Sequence, residues 1–375
     1  MIALSFSVEV EPMFLRATKF GSVIAVIVLH TNQASAHVKW FAPYIVESTP
    51  RPISNTLFNT WFWSGIILVL VFFVAARLIE KSAYGETAML VLDRSTNFLW
   101  IRIDDFIRAI IAAFFIAIFA TGGVYLTPDL KTPAEWVSWV QLLIAVLIFF
   151  RKTQPVAAAL VIGLWVLALR DYQLFHLLDY LALGIGVAAY LFLEASTNQN
   201  WRKHRFEVLR WGVAIALMWS SLEKFAYPEW FYPLVLEKPF LTFGLSRDAF
   251  IPMAGVAEFT MGFGMIWTPL VRRLSALAMF VIFNAAVYPF GRIDLIGHAL
   301  IMAVILAIAA DRTRENHFLP KLKTKLIGVP LGLVCALVLF SLSYWGLHAE
   351  IYGAGGTTTP PTELTTHSHN SENPN

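Results

Sequence analysis

Residues 61–79 read WFWSGIILVLVFFVAARLI. The run carries no charge before Arg77. As a helix rising 1.5 Å per residue it covers about 28 Å, close to the ~30 Å hydrocarbon layer of a bilayer. Comparable runs recur at roughly 106–126, 137–150, 154–170, 176–194, 206–226, 250–267, 271–288, 293–310 and 326–346, which makes ten segments. Hydrophobic residues make up 58% of the chain and charged residues 14%, with a mean hydropathy of +0.65. A soluble domain carries about 25% charged residues, so this chain lacks the polar material to clothe a water-facing globule. The expected fold is all-α: a polytopic membrane helical bundle with the lipid bilayer as its first partner.

The net charge of +3 and the absence of a basic, aromatic-interleaved patch give no support to nucleic-acid binding. Cys335 is the single cysteine. It excludes an internal disulfide, covalent haem c attachment and iron–sulfur clusters.

Ahead of the first run, residues 13–36 have the three parts of an export signal. Arg16 and Lys19 are basic, Ser22 to Leu29 form a short apolar core, and Ala34-Ser35-Ala36 is an A-x-A cleavage site. Met13 is a candidate start, with residues 1–12 ahead of it. Cleavage after Ala36 would expose His37 as the first residue of an outer segment, 37–60. An α-amine and its own imidazole chelate a metal together, and copper(II) best suits that nitrogen pair. His37 is therefore a candidate copper ligand.

Lys and Arg in short loops set orientation. Placing His37 outside puts Arg77, Lys81, Arg151, Lys152, Arg202, Lys203, Arg205, Arg272, Arg273, Arg312, Arg314, Lys321, Lys323 and Lys325 inside. The expectation is a bacterial inner-membrane protein with both termini outside. The polar Gly/Thr/Pro-rich tail, 347–375, is expected to be disordered, and its His367 and His369 are weak metal collectors.

Segments two to five, within 106–194, and six to nine, within 206–310, repeat one order of features. Each set has a basic approach, an outer loop, a basic inner turn with proline, and an acid at the outer mouth of its last segment, Asp179 and Asp294. Both copies run the same way. The architecture expected is two parallel four-helix repeats with one helix at each end, 61–105 carrying the first and 326–346 the last.

The second copy concentrates ionisable residues in the outer half of the membrane. Glu223 and Lys224 end the sixth segment, Glu258 lies about two turns into the seventh, and Asp294 and His298 are one turn apart in the ninth. Buried ionisable groups are costly and mark pairs or polar cavities. Glu223, Glu258, Asp294 and His298 are the candidate catalytic set, with His298 and Glu258 also candidate metal ligands beside His37. Such groups can bind a divalent metal or take protons from a reduced quinone. Lys224 and Arg292 read as interfacial charges that snorkel to water, whereas Glu258 is too deep and too short to do so. Met261 and Met265 read as packing residues, Tyr227, Trp230, Phe231 and Tyr232 as an interfacial belt, and the first copy, with His176 and Asp179, as mainly scaffold.

Leu222-Glu223-Lys224-Phe225 with the following Pro228 loop, Glu258 in a Gly-rich helix, and Gly297-His298 resemble the DoxX-like family of four-helix bacterial membrane proteins. The resemblance covers about 206–310, with a weaker copy at about 102–194. It implies a four-helix unit and, for some relatives, sulfur-compound oxidation coupled to quinone. Three function classes follow. The first is a membrane component of a quinone-linked redox or copper-handling system with an outward-facing site and membrane or periplasmic partners. The second is a transporter of a small solute or metal ion. The third is a non-catalytic assembly or partner subunit.

Overall fold

A computed structural model describes residues 48–287, 291–314 and 320–353. The export segment, His37, His367 and His369 lie outside the described residues. The described chain is helical, with one isolated bridge, Val124 to Lys131, and no strand among the described residues. The longer helices are α1 (Thr60–Lys81), α2 (Ala83–Ser95), α3 (Ile103–Thr121), α4 (Trp136–Ile148), α5 (Gln154–Ala168), α6 (Leu174–Ala195), α7 (Arg205–Ser221), α8 (Arg247–Met265), α9 (Pro269–Val287), α10 (Arg292–Ala309) and α11 (Gly328–Tyr352). Five of them, α1, α6, α9, α10 and α11, are long and apolar enough to cross a membrane.

Local chemistry sets the helix ends. The Asn59 side chain accepts from the Trp61 and Phe62 amides at 2.8 and 3.3 Å and caps α1. Ser82 caps α2 through the Tyr84 amide. Gly122, with φ of 69°, stops α3 five residues before the apolar run ends at Leu126. The rest of that run folds inward as a loop, with Tyr125 and Leu130 fully buried. Buried irregular backbone needs partners, and Gln141 of α4 supplies them by donating to the Val124 and Tyr125 carbonyls.

The helices form one core cluster. Helices α3 to α6 pack in chain order, as do α7 to α10, and α7 also meets α10. The two sets join through α6 on α7 and α10 on α3, so the fourth helix of each lies on the first of the other. The α6–α7 crossing is a glycine contact. A Cβ on Gly186 would lie 2.9 Å from Gly212 Cα, and one on Gly212 would lie 2.8 Å from the Ala182 carbonyl oxygen. Small residues allow such close backbone approach between apolar helices. Helices α1 and α11 pack on α8, outside both sets of four.

The bundle has two poles. One gathers Arg51, Asp129, Gln173, Ala226, Glu229 and Trp345. The Arg51 amide donates to Ala226, the Trp345 indole donates to the Arg51 carbonyl, and Tyr352 bonds Gln173. The other pole gathers Arg77, Arg210, Arg272, Arg273, Arg314 and Lys323. Arg272 and Arg273 were expected in an inner loop at the water surface, but they are 1% and 0% exposed. The reason is carboxylate pairing. Asp311, itself fully buried, takes Arg272 at 2.7 Å and Arg210 more closely. Asp93 takes Arg273, and Arg314 at 2.6 Å. Glu80 pairs with Arg77 and accepts from Thr268 and the Leu270 amide. The Lys323 ammonium donates to the Ile266 carbonyl at the end of α8.

Candidate functional site: an acid–base cluster at one pole

Glu258 sits on α8, nearly three turns from its start at Arg247. Its Oε2 is hydrogen-bonded and ion-paired to Lys224 Nζ, and its Oε1 accepts from Ser220 Oγ at 3.1 Å. The partners come from the end of α7 and the short helix Glu223–Ala226 that follows. Gly255, one turn before Glu258, makes the approach possible. A Cβ there would meet Phe225 Cζ at 2.8 Å and Lys224 Cβ at 3.0 Å. Lys224 is therefore tied to Glu258 at the edge of an open cavity and does not reach freely into water. Its side chain is 18% exposed, its ammonium lies 4.9 Å from the centre of the Phe231 ring, and its charge is matched by Glu258.

Asp294 and His298 face each other across one turn of α10, with Nδ1 3.3 Å from Asp294 Oδ1 and 3.0 Å from its carbonyl oxygen. Asp294 is 1% exposed, and the His298 ring lies 5.5 Å from Phe283 of α9. Helices α8 and α10, which carry Glu258 and the Asp294–His298 pair, both pack on α7 and α9. Three of the four expected catalytic residues, Glu258, Asp294 and His298, thus lie on helices that flank the same two neighbours.

Glu223 stands apart. Successive helical residues point about 100° from one another, so Glu223 and Lys224 leave their turn on different sides. Glu223 is 7% exposed, and its charge acts on Tyr344 of α11, as does that of Asp179. Around that side Phe175, Trp219, Tyr344, His348 and Tyr352 form an aromatic cluster. Tyr227 and Trp230 stack at 4.0 Å and are buried, so they are core rather than an interfacial belt. Met261 and Met265 are buried packing residues.

The set α3 to α6 has a polar cluster that the sequence reading missed. Asp129, in the α3–α4 loop, pairs with Tyr180 and Thr127 and lies 3.7 Å from His176 Nε2. Nearby, Asp171 holds Arg170 and the Tyr125 hydroxyl, and these bonds keep its carboxyl below the usual carboxylate range. The visible signal was the His176–Tyr180 pair at i, i+4; the acid completing it is remote in sequence.

Above Lys224 lies an open cavity of about 190 Å³. Its lining includes Arg51, Asn59, Lys224, Tyr232, Arg247 and Asp248. Among the described residues, no group of three or more His, Cys, Asp or Glu side chains is arranged to hold a metal. No family model, no curated protein and no solved structure matches this chain.

Proposed function

We propose that this chain is a polytopic membrane protein, two parallel four-helix units flanked by α1 and α11, that serves a quinone-linked redox system through an outward-facing proton-accepting site. Glu258 carries the reading: an acid within an apolar helix, held by Lys224 and Ser220, on a helix that packs on the same α7 and α9 as the helix of the His298–Asp294 pair. Quinols are lipid-soluble and approach from the side. His298 is partly exposed beside Phe283, and Val281 and Ile282 on α9 are exposed apolar residues. On oxidation of a quinol, Glu258 and His298 accept the two protons, Asp294 orients the imidazole, and the two electrons pass to the redox centre of a partner protein at the outer face. Histidine and a partly desolvated carboxylate are the side chains suited to such transfer near neutral pH. The resemblance of 206–310 to DoxX-like proteins points the same way.

The arrangement favours this reading over transport. At the pole opposite Glu258, Arg210, Arg272 and Asp311 are buried and mutually paired, which supports a closed inner end. Copper handling would draw on His37, which lies outside the described residues, with His298 and Glu258, and no group of three or more such ligands is arranged for a metal among the described residues. The test is extraction of the protein purified in mild detergent, with quantification of co-purified quinone. About one quinone per chain, lost in Glu258→Gln, supports the reading, and quinone-free protein from quinone-replete membranes overturns it.

A further inference from the structure

The cavity over Lys224 has a charge pattern that proton transfer at Glu258 does not explain. Three cationic side chains line it from three separate segments: Arg51 ahead of α1, Lys224 after α7, and Arg247 at the start of α8. Among the described residues, Asp248 is the one carboxylate in the lining. One tyrosine holds the two guanidinium groups together. Arg51 Nη2 approaches the Tyr232 hydroxyl at 3.4 Å, while Arg247 lies over the Tyr232 ring at 4.5 Å from its centre. Both guanidinium groups meet at one ring, so this wall of the cavity is rich in charged N–H donors. Each arginine also has a carboxylate partner at its Nε: Glu229 meets Arg51 at 3.1 Å, and Asp248, 73% exposed, meets Arg247 at 3.5 Å, which leaves the terminal nitrogens for a ligand. Asn55, Thr56 and Asn59 add neutral hydrogen-bonding groups to the same wall.

We propose that this cavity is a binding site for a phosphate-type oxyanion, held by Arg51 and Arg247 and touching Lys224. Guanidinium forks match the geometry of phosphate oxygens. On the proposed membrane reading the same chemistry comes from two sources, free phosphate or the headgroup of an anionic lipid. Binding also acts on the neighbouring pair. An anion at the cavity floor competes with Glu258 for the Lys224 ammonium and leaves Glu258 to Ser220. That coupling rests on the proposed role of Glu258; the anion site itself does not.

The experiment uses the purified full chain in nanodiscs of zwitterionic phosphatidylcholine. In one arm, sodium phosphate replaces sodium chloride at constant ionic strength and the melting temperature is followed. In the other, phosphatidylglycerol replaces part of the lipid and phosphate is omitted. Arg51→Gln and Arg247→Gln are run in parallel, with helical content and size-exclusion profile as folding controls. Both arginines are about half exposed, so the variants are expected to fold. A saturable rise with phosphate, shifted about tenfold or more to higher concentration in both variants, establishes the site with free phosphate as ligand. A rise in the phosphatidylglycerol arm alone, lost in both variants, establishes it with a lipid headgroup. Responses equal in wild type and folded variants, or no response of wild type in either arm, overturn the proposal. Quinone content does not enter this outcome, so the anion site and the role of Glu258 fail separately.

Discussion

Asp311→Asn tests the physics of the closed pole. Asp311 is fully buried and binds two guanidinium groups, Arg272 at 2.7 Å and Arg210. It also accepts from the Thr313 amide at 2.8 Å and the Thr313 hydroxyl at 2.7 Å. Burial alone raises its carboxyl; the charges of Arg272 and Arg210, with the Thr313 bonds, outweigh burial and hold it below its ordinary 3.8. A group depressed in this way stabilises the fold at all pH above 3.8, and the contribution disappears only as pH falls through the lower folded value. The amide keeps the shape and removes the charge. It leaves Arg272 and Arg210, 1% and 4% exposed, without the charge of the carboxylate they share. Breaking a buried pair from one side costs about 3–5 kcal/mol. At roughly 2–4 °C per kcal/mol, the melting temperature should fall by about 10 °C. The assay is fluorescence-detected size exclusion after a heating series at neutral pH. The double variant Asp311→Leu with Arg272→Met, which removes charge from both sides, should recover part of the loss. A single variant within about 2 °C of wild type would refute the assignment of the pole as a closed ionic clamp.

Other consequences follow from single residues. Burial lowers the Lys323 ammonium to about 8, with Arg272 and Arg210 adding to the effect, while the unfolded value is 10.5. The unfolded chain therefore holds more protons between these values, and stability should rise as pH goes from about 8 to 10.5. Lys323→Met should flatten that rise in melts taken across the range. Gly212→Val should separate α6 from α7, because even a Cβ meets the Ala182 carbonyl oxygen at 2.8 Å. Overpacking of this kind costs about 1–3 kcal/mol, read as a lower melting temperature, with Gly163→Ala, whose Cβ meets nothing within 4 Å, as the neutral control.

Most helix positions were legible because an apolar run of membrane length has few other uses. The run 293–310 is α10, Arg292–Ala309, and 271–288 is α9, Pro269–Val287. The misses have local causes. The run 106–126 does not continue as helix past Thr121, since Gly122 turns the chain and Val124, Tyr125 and Leu126 are buried as loop. The last run extends from 346 to Tyr352 because His348 and Tyr352 pack on Phe175 instead of facing water.

The site was half legible. Glu258, Asp294 and His298 stood out as ionisable residues in apolar surroundings. The side on which Glu223 and Lys224 each emerge depends on helix rotation, which Gly255 and Phe225 fix by contact. The pairs of Asp93, Asp129 and Asp311 were not legible. Each acid lies close to a chain turn, where a solvated carboxylate is the ordinary expectation, and its partners come from remote segments.

The most direct measurement is binding of a short-chain quinone to the purified full chain, followed by quenching of tryptophan fluorescence, for wild type, Glu258→Gln and His298→Phe. The expected result is saturable binding by wild type that weakens about tenfold or more in each folded variant. Binding that is absent in wild type, or unchanged by both substitutions, would contradict the assignment of Glu258 and His298 to a quinone site.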